Sequence, residues 1–260
     1  MSRPNLILGI CVGYTAEAAE IFIRSWRRNV PSAALHMFVK DIAPDLAALL
    51  RDNDVQTTDC AMALDVAADL GFNIYSARQF VLRRFLQRNP CHGKVLLSDV
   101  RDVVLQGDPF AESFAGDVLF AAEDKKIEDC RINSAWISQA YGQDVLRVLR
   151  SRTVTCAGTV LGSYIGILRY LDLMCAELKS HPKQETDQGI HNFIAWGLSP
   201  IGMAVDLSNG VVATLDQIDA ERVTFEDGMV RLDGHAPPIV HQWDRQDHLR
   251  GPLLRAWSAG

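Results

Sequence analysis

The chain has 260 residues, enough for one large domain or two small ones, and 48% of them are hydrophobic while 22% are charged. These values are ordinary for a globular protein and argue against intrinsic disorder. The formal net charge of -6 argues against a protein that binds nucleic acid by bulk charge, so we expect no nucleic-acid partner. The six cysteines contain no CxxC pair and follow neither zinc-ligand nor disulfide-framework spacing. This pattern favours a reducing, cytoplasmic location.

The sequence predicts neither a signal peptide nor a transmembrane segment. The start, MSRPNLILGICVGYT, has too short an apolar core and no small-residue cleavage site, and a first strand explains it better. The longest stretches without formal charge, residues 154–168 and 188–205, are interrupted by glycine and by polar residues. No repeat or linker divides the chain, so we expect a single domain over residues 1–260.

The N-terminal part alternates strand and helix patterns. Residues 5–12 form an apolar run typical of a buried parallel strand, and Thr15 is a candidate N-cap for a helix that continues to Arg28. Residues 34–39 predict a second strand and residues 42–50 a second short helix. The chain therefore opens with βα units. A weaker pattern follows, with a strand fragment expected near Val55.

Two side chains in this part are candidates for nucleotide contacts. Tyr14 follows the first strand and could stack on a base, or it could be a core tyrosine with a satisfied hydroxyl. Residues 75–87 predict a helix with Arg78 in its first turn, where the guanidinium could reach phosphates. The alternative is that Arg78 lies on the solvated face of that helix.

The chemistry of the chain is concentrated in residues 94–110, KVLLSDVRDVVLQGDPF. A short apolar run delivers Asp99, Arg101 and Asp102 to the carboxyl end of a buried strand, where ligands bind in open α/β sheets. Side chains alternate along a strand, so the chain must turn after Asp99 if both acids are to face one site. We predict that Asp99 and Asp102 hold a divalent cation that binds a nucleoside diphosphate. The alternative is a surface ion-pair cluster.

The middle of the chain adds further polar candidates. Residues 117–122 predict a buried strand that ends in Glu123 and Asp124, and an exposed, mobile loop is expected at residues 125–129. Residues 154–162 predict a strand whose two glycines indicate a bulge or a close approach by a ligand. Helices are predicted at residues 132–150, as one helix or a pair, at residues 163–178, and from the Thr186, Asp187 and Gln188 cluster to Trp196, where Asp187 could be only a cap.

The C-terminal part predicts short elements. Strands are expected at residues 211–215 and 239–241, and Asp227 and Gly228 indicate a hairpin. The segment at residues 248–257 carries Leu and Trp among arginines, which is typical either of weak contact with an anionic membrane or of a packing helix.

Four segments, in this order, resemble the glycosyltransferases with the GT-A fold, a nucleotide-diphospho-sugar transferase architecture, and in particular family 8-like enzymes. VLLSDVRDVVLQGDPF resembles the strand and turn that carry the DxD metal-binding motif. CAGTVLG, at residues 156–162, is similar to the NAG-type segment beside the donor sugar, and DQGIHN, at residues 187–192, to the DQ segment. IVHQWD, at residues 239–244, is similar to the segment with the late metal-binding histidine.

The sequence departs from the family pattern in three places. The acids have DxxD spacing, so Asp102 matches the second acid of the motif and Asp99 is a displaced substitute for the first. Cys156 stands where asparagine is usual. The late segment lacks the HFxGxxKPW pattern, so Arg245 is proposed as the cation that meets the diphosphate.

The resemblance implies an α/β fold in which helices flank a mostly parallel central sheet of a single GT-A domain. It implies a nucleoside-diphosphate sugar donor, a glycan or glycoconjugate acceptor, and Mn²⁺ or Mg²⁺ held by Asp99, Asp102 and His241. The mixed oxygen and imidazole ligands favour Mn²⁺. The residues proposed to bind the nucleotide sugar are Gly13, Tyr14, Arg78, Asp99, Arg101, Cys156, Gly158 and Arg245.

The implied reaction develops negative charge on the leaving diphosphate, which a bound metal ion would stabilise as a Lewis acid. An inverting enzyme needs a carboxylate to deprotonate the acceptor hydroxyl, and Glu123, Asp124 and Asp187 are candidates. A retaining hexosyltransferase, as the family 8-like enzymes are, would rely on Asp187 and Gln188 as catalytic residues without a dedicated base. We favour retention.

Three other functions remain open from the sequence. A metal-dependent phosphohydrolase also uses a strand that ends in aspartates, but the partner acid is usually two residues on. A nucleotidyltransferase would need a glycine-rich, basic loop after the first strand, whereas CVGYTAEAAE has one glycine and acids. A sugar-nucleotide-binding module that has lost catalysis would explain Cys156 and the DxxD spacing.

Overall fold

The computed structural model describes residues 4–90, 93–114, 116–181, 187–197, 203–206 and 210–257. Its strands are β1 (Leu6–Val12), β2 (Ala34–Lys40), β3 (Gln56–Asp59), β4 (Lys94–Ser98), β5 (Val103–Leu105), β6 (Val118–Lys126), β7 (Thr153–Ser163), β8 (Met203–Asp206), β9 (Val212–Thr214), β10 (Val223–Glu226), β11 (Met229–Leu232) and β12 (Ile239–His241). Its helices are α1 (Ala16–Asn29), α2 (Pro44–Asp52), α3 (Ala61–Asp69), α4 (Ile74–Arg88), α5 (Arg131–Leu149), α6 (Tyr164–Ser180), α7 (Asp187–Gly197) and α8 (Asp247–Trp257).

A seven-stranded sheet with the order β3-β2-β1-β4-β7-β6-β8 forms the centre of the described structure. Pairing is parallel from β3 to β4 and between β6 and β8, and β7 is antiparallel to both of its neighbours. Alternate residues of the central strands belong to different hydrophobic clusters: Ile7 and Leu96 to one, Leu8 and Leu97 to another. The sheet therefore carries a core on each face, which explains the continuous apolar runs. This confirms the predicted α/β class with a mostly parallel sheet.

The order of the strands creates a ligand crevice beside β1. From β1 the chain moves outward through β2 and β3, and it then returns to β4 on the opposite side of β1. Such a switch point leaves the carboxyl ends of the two neighbouring strands uncovered, and ligands bind there in open α/β sheets. The turn with Gly13 and Tyr14 follows β1, and Asp99 follows β4.

A second, three-stranded sheet brings the C-terminal part of the chain to the same place. Its order is β5-β12-β9, and β12 runs antiparallel to β5 so that His241 pairs with Val103. The backbone N–H of Gln242 also donates to the carbonyl of Asp102 over 2.8 Å. His241 is thereby fixed next to Asp102, although the two are far apart in sequence.

Several predicted turns and helix ends are explained by local geometry. Asp227 and Gly228 both have positive φ, 52° and 78°, and form the hairpin turn between β10 and β11 as predicted. Gly142, with φ of 81°, interrupts α5, so the prediction of a helical pair is confirmed there. Thr15 precedes α1 without a side-chain cap bond, and the backbone N–H of Ala16 donates to the Asp45 carboxylate at 3.2 Å.

One predicted loop is wrong in its first part. Lys125 and Lys126 are not in a loop but at the end of β6, where Lys126 pairs with Thr153 of β7. The last four residues of β6, 123–126, are all charged, so no apolar pattern in the sequence marked this strand extension. The turn that connects it to α5 is limited to residues 127–130.

The C-terminal helix supports the packing alternative. Leu249, Leu253 and Trp257 of α8 are buried in a cluster with Val104 and Val240, and Leu254 packs against the same cluster. The apolar side chains that membrane contact would need are therefore largely occupied inside the protein. No helix in the described ranges is long and apolar enough to cross a membrane.

Candidate functional site

The turn after β4 aims two acids at one point. The backbone N–H of Asp99 donates to the carbonyl of Gly158 on β7 over 2.7 Å, and the buried Val100 then anchors the turn. Asp102 immediately precedes β5 and is only 7% exposed. In a straight strand the side chains of Asp99 and Asp102 would point to opposite faces. Because the chain turns after Asp99, both acids face the same site, as the sequence analysis predicted for a shared metal.

His241 completes a cluster with these acids. Its Nε2 atom lies 3.7 Å from Oδ2 of Asp99 and 3.6 Å from Oδ1 of Asp102, and one ligand atom from each residue lies within 4.8 Å of the others. The ring is 1% exposed, and Nε2 has no hydrogen-bond partner. A buried polar atom without a partner is costly unless something else satisfies it. The three predicted metal ligands are therefore brought together in the structure.

The space beside the three ligands depends on a glycine. A Cβ atom added to Gly158 would lie 2.3 Å from Cε1 of His241 and 2.7 Å from Oδ2 of Asp99, closer than real Cβ contacts allow. Any other residue would fill the gap between the histidine and the acids. Together with the unsatisfied Nε2 atom and the mixed oxygen and nitrogen donors, this gap fits a divalent metal ion.

The charges of the three ligands are strongly coupled. Burial opposes ionisation of Asp99, but the Arg78 guanidinium and His241 hold its pKa well below the ordinary value. Burial instead raises the pKa of Asp102. Burial also opposes charge on His241, but the Cys156 thiol and the two carboxylates raise the pKa of the ring well above its ordinary value. A metal ion must therefore displace a proton from His241, so its affinity should rise with pH.

Arg78 connects the metal ligands to α7. Its guanidinium forms a close ion pair with Asp99, and Nη2 lies 3.8 Å from Oδ2 of Asp187. Both carboxylates face one buried cation, so the alternative that Arg78 lies on the solvated face of α4 is wrong. Its predicted approach to phosphates stays a prediction, because its charge is already matched by two acids.

A cavity of about 300 Å³ opens directly above the acids. Predicted site residues among those lining it are Tyr14, Arg78, Asp99, Arg101, Asp102 and Gly158. Burial raises the pKa of Tyr14 to about 12, so its phenol is neutral. The volume lies at the lower end of the range for small-molecule sites.

The sequence analysis missed part of the cavity wall. Tyr75, Gln79 and Leu82 line the cavity together with Arg78. These residues recur at helical spacing along α4, so the position of Arg78 alone could have identified them. Tyr170, from α6, had no comparable signal, because only the packing of α6 against the sheet brings it there.

Other predicted residues lie outside the cavity lining. Gly13 is exposed in the turn after β1 with φ of 65°. Asp124 forms a close surface ion pair with Arg222. Arg245 lies 3.2 Å from Asp244. Asp244 also lies 3.8 Å from Arg101, which lines the cavity, so Arg245 is linked to the cavity only through Asp244. Thr186, before Asp187, is outside the described residues.

Gln188 is bonded to the strand behind the site. Its Oε1 atom accepts from the backbone N–H of Ala157 at 2.9 Å, and its Nε2 atom donates to the carbonyl of Thr155. The buried Asn192, which the sequence analysis did not single out, similarly accepts from the N–H of Thr155 at 2.8 Å. The two amides pair with β7 as another strand would. The catalytic role of Gln188 stays a prediction, since its amide is engaged by this backbone.

We expect Gln188→Glu to destabilise the fold by about 1–3 kcal/mol. A carboxylate can still accept from Ala157 but cannot donate to the carbonyl of Thr155, which then faces a negative charge beside its longer, 3.2 Å bond from Asn192. Urea denaturation measures this difference. The exposed Gln143, whose amide bonds only to Ser138, provides the matched control Gln143→Glu, which should change stability by less than about 0.5 kcal/mol. Equal stabilities for both variants would contradict the strand-pairing role.

Glu123, one of the three carboxylates considered as a base from the sequence, is outside the cavity lining but has a strongly raised pKa. Burial, and then the nearby Asp216 carboxylate, raise the pKa of Glu123 to about 7, although His241 and Cys156 oppose the shift. The raised pKa stabilises the folded protein below the ordinary pKa near 4.5, and this contribution is lost as pH rises through about 7. We therefore expect metal-free Glu123→Gln to gain stability over wild type between pH 5 and pH 8, by up to about 3 kcal/mol. Urea denaturation at several pH values measures this. If the free energies of unfolding of wild type and variant differed by the same amount at every pH, the prediction would be wrong.

Comparisons with known proteins agree with this architecture. A crystal structure of an active-site mutant of LgtC superimposes with a TM-score of 0.60 at 14% identity, and the match covers 98% of this chain and 97% of that one. The galactosyltransferase LgtC in complex with donor and acceptor sugar analogues gives a TM-score of 0.58 at 15% identity, with the same coverage. The chain has the GT-A fold. No protein-family model matches the sequence, and no curated protein matches it.

Proposed function

We propose that this GT-A-fold protein is a metal-dependent glycosyltransferase that moves a sugar from a nucleoside-diphosphate donor to a hydroxyl of a glycan or glycoconjugate. The observation that carries the proposal is the cluster of Asp99, Asp102 and His241 at the base of a cavity at the switch point of the sheet. A nucleotide diphosphate needs a cation at this position, and the fold is that of a galactosyltransferase.

Asp99, Asp102 and His241 would hold Mn²⁺ or Mg²⁺. The bound ion would neutralise the charge that develops on the diphosphate as the sugar leaves. Arg101, which lines the cavity and is half exposed, is placed to bind the same phosphate oxygens. Tyr14 also lines the cavity and presents a neutral ring on which a base could stack.

We further propose a retaining outcome. Among the described residues that line the cavity, the carboxylates are Asp99 and Asp102, and both are assigned to the metal. No other carboxylate there remains to deprotonate an acceptor hydroxyl, which supports a mechanism without a dedicated base. Asp187 would not contact the substrate but would hold the Arg78 guanidinium in place through their ion pair. The five described cysteines are unpaired, which is consistent with the cytoplasmic location that we propose.

Calorimetry with a panel of nucleoside diphosphates and nucleotide sugars, with and without Mn²⁺, tests the donor site. We expect one nucleotide to bind only with metal, and the sugar nucleotide to be turned over when a glycan acceptor is present. Metal-dependent binding without turnover on any acceptor would favour the inactive binding module. No binding by any member of the panel would overturn the transferase proposal and favour a phosphohydrolase.

A further inference from the structure

The side of His241 that faces away from the acids contacts a cysteine. Nδ1 of the ring lies 3.6 Å from Sγ of Cys156, and both residues are buried. Cys156 is on β7, two residues before the glycine that leaves room for the metal. The imidazole is therefore held between a thiol at Nδ1 and two carboxylates at Nε2.

A second contact continues behind the thiol. The Glu123 carboxyl interacts with the Cys156 thiol, and this interaction favours the ionised carboxylate and so lowers the pKa of Glu123 against the effect of burial. Glu123 lies where β6 departs from regular pairing with β7, between Ala122 and Lys126. Such bulges re-aim side chains, and this one turns a carboxylate towards the interior next to the site.

The two contacts decide which nitrogen of His241 can bind metal. If the thiol donated to Nδ1, the neutral ring would carry its proton on Nε2, which has no hydrogen-bond partner and would be blocked as a ligand. If Nδ1–H instead donates to the sulfur, Nε2 presents a lone pair to the space between the acids. The thiol can then donate its own proton to the Glu123 carboxylate, so the N–H of His241 and the S–H of Cys156 each have an acceptor.

We propose that Cys156 is a positioning residue that, with Glu123 behind it, holds His241 in the tautomer with a proton on Nδ1 and a free Nε2 for the metal. In known metal sites the ligand histidine almost always donates its other N–H to a carboxylate, carbonyl or water. Here a thiol stands between the imidazole and the carboxylate. The inference rests on the proposed metal site and specifies how its histidine is oriented.

We call the series of contacts from Glu123 through Cys156 to His241 the relay. Mn²⁺ affinity, measured by electron paramagnetic resonance, tests it. We expect Cys156→Ala to weaken Mn²⁺ binding about tenfold or more, and Cys156→Ser to recover most of the loss because a hydroxyl can also accept and donate. Glu123→Leu should weaken binding in wild type but add little to Cys156→Ala, because the relay is already broken. The control Cys175→Ala removes another buried thiol, beside Arg83 and Lys179, and should leave the affinity unchanged.

Nitrogen-15 NMR of histidine-labelled wild-type protein loaded with Zn²⁺, a diamagnetic probe, gives a readout that needs no variant. We expect His241 to show a protonated Nδ1 and a metal-bound Nε2. A metal-bound Nδ1, or Mn²⁺ binding that Cys156→Ala leaves unchanged, would overturn the relay while leaving the metal site in place. If wild type binds neither ion, both the relay and the metal site are wrong.

Discussion

Asp102→Ala is expected to weaken Mn²⁺ binding at least about a hundredfold, more than the ten- to hundredfold typical for partners behind the ligands. Asp102 is buried and lies 3.6 Å from the unsatisfied Nε2 atom of His241, so its carboxylate supplies one of the few charges that can balance a divalent cation there. Calorimetric titration with Mn²⁺ measures the loss. Metal-dependent nucleotide binding should disappear with it.

A surface acid provides the control for this variant. Asp144 is almost fully exposed on α5 and pairs only with Arg147, so Asp144→Ala should bind Mn²⁺ as wild type does. Circular dichroism and the thermal midpoint of Asp102→Ala establish that it is folded. A folded Asp102→Ala protein with wild-type Mn²⁺ affinity would show that Asp102 is not a ligand of the metal.

Gly158→Ala is expected to abolish metal binding by a steric effect alone. The added methyl would lie 2.3 Å from Cε1 and 2.7 Å from Nε2 of His241, and it would displace the ring or the Asp99 carboxylate. The backbone of Gly158 is outside the positive-φ region, so alanine introduces no backbone strain there. Overpacking should also cost about 1–3 kcal/mol of stability. Mn²⁺ calorimetry and urea denaturation measure the two effects.

A glycine elsewhere in the chain separates this effect from the general cost of a glycine substitution. The Cβ of Gly107→Ala would lie 3.4 Å from Cα of Pro238, which is an ordinary contact that needs little adjustment. We expect this variant to bind Mn²⁺ normally. Unchanged Mn²⁺ affinity in Gly158→Ala would place the metal somewhere other than between His241 and the acids.

The local elements could be predicted because their signals are short-range. Apolar runs gave β1 and β4, helical spacing gave α4, and the Asp227–Gly228 pair gave the hairpin, since each pattern follows from backbone geometry and neighbouring side chains. The end of β6 was missed because its last four residues, 123–126, are all charged and so carry no apolar pattern. The resemblance, carried by four separated segments, supplied the fold that the structural comparisons then supported.

The sequence by itself determined where acids follow a buried strand, and so placed Asp99 and Asp102 at a ligand-binding edge. Only the tertiary structure decided that Nε2 of His241 faces them without a partner, that Arg78 is held by Asp99 and Asp187, and that Cys156 lies behind the histidine. The positions of His241 and Cys156 depend on the pairing of β12 with β5 and of β6 with β7, and the position of Arg78 depends on where α4 and α7 pack. Pairing between distant segments is set by the packing of the whole core, which no local pattern encodes.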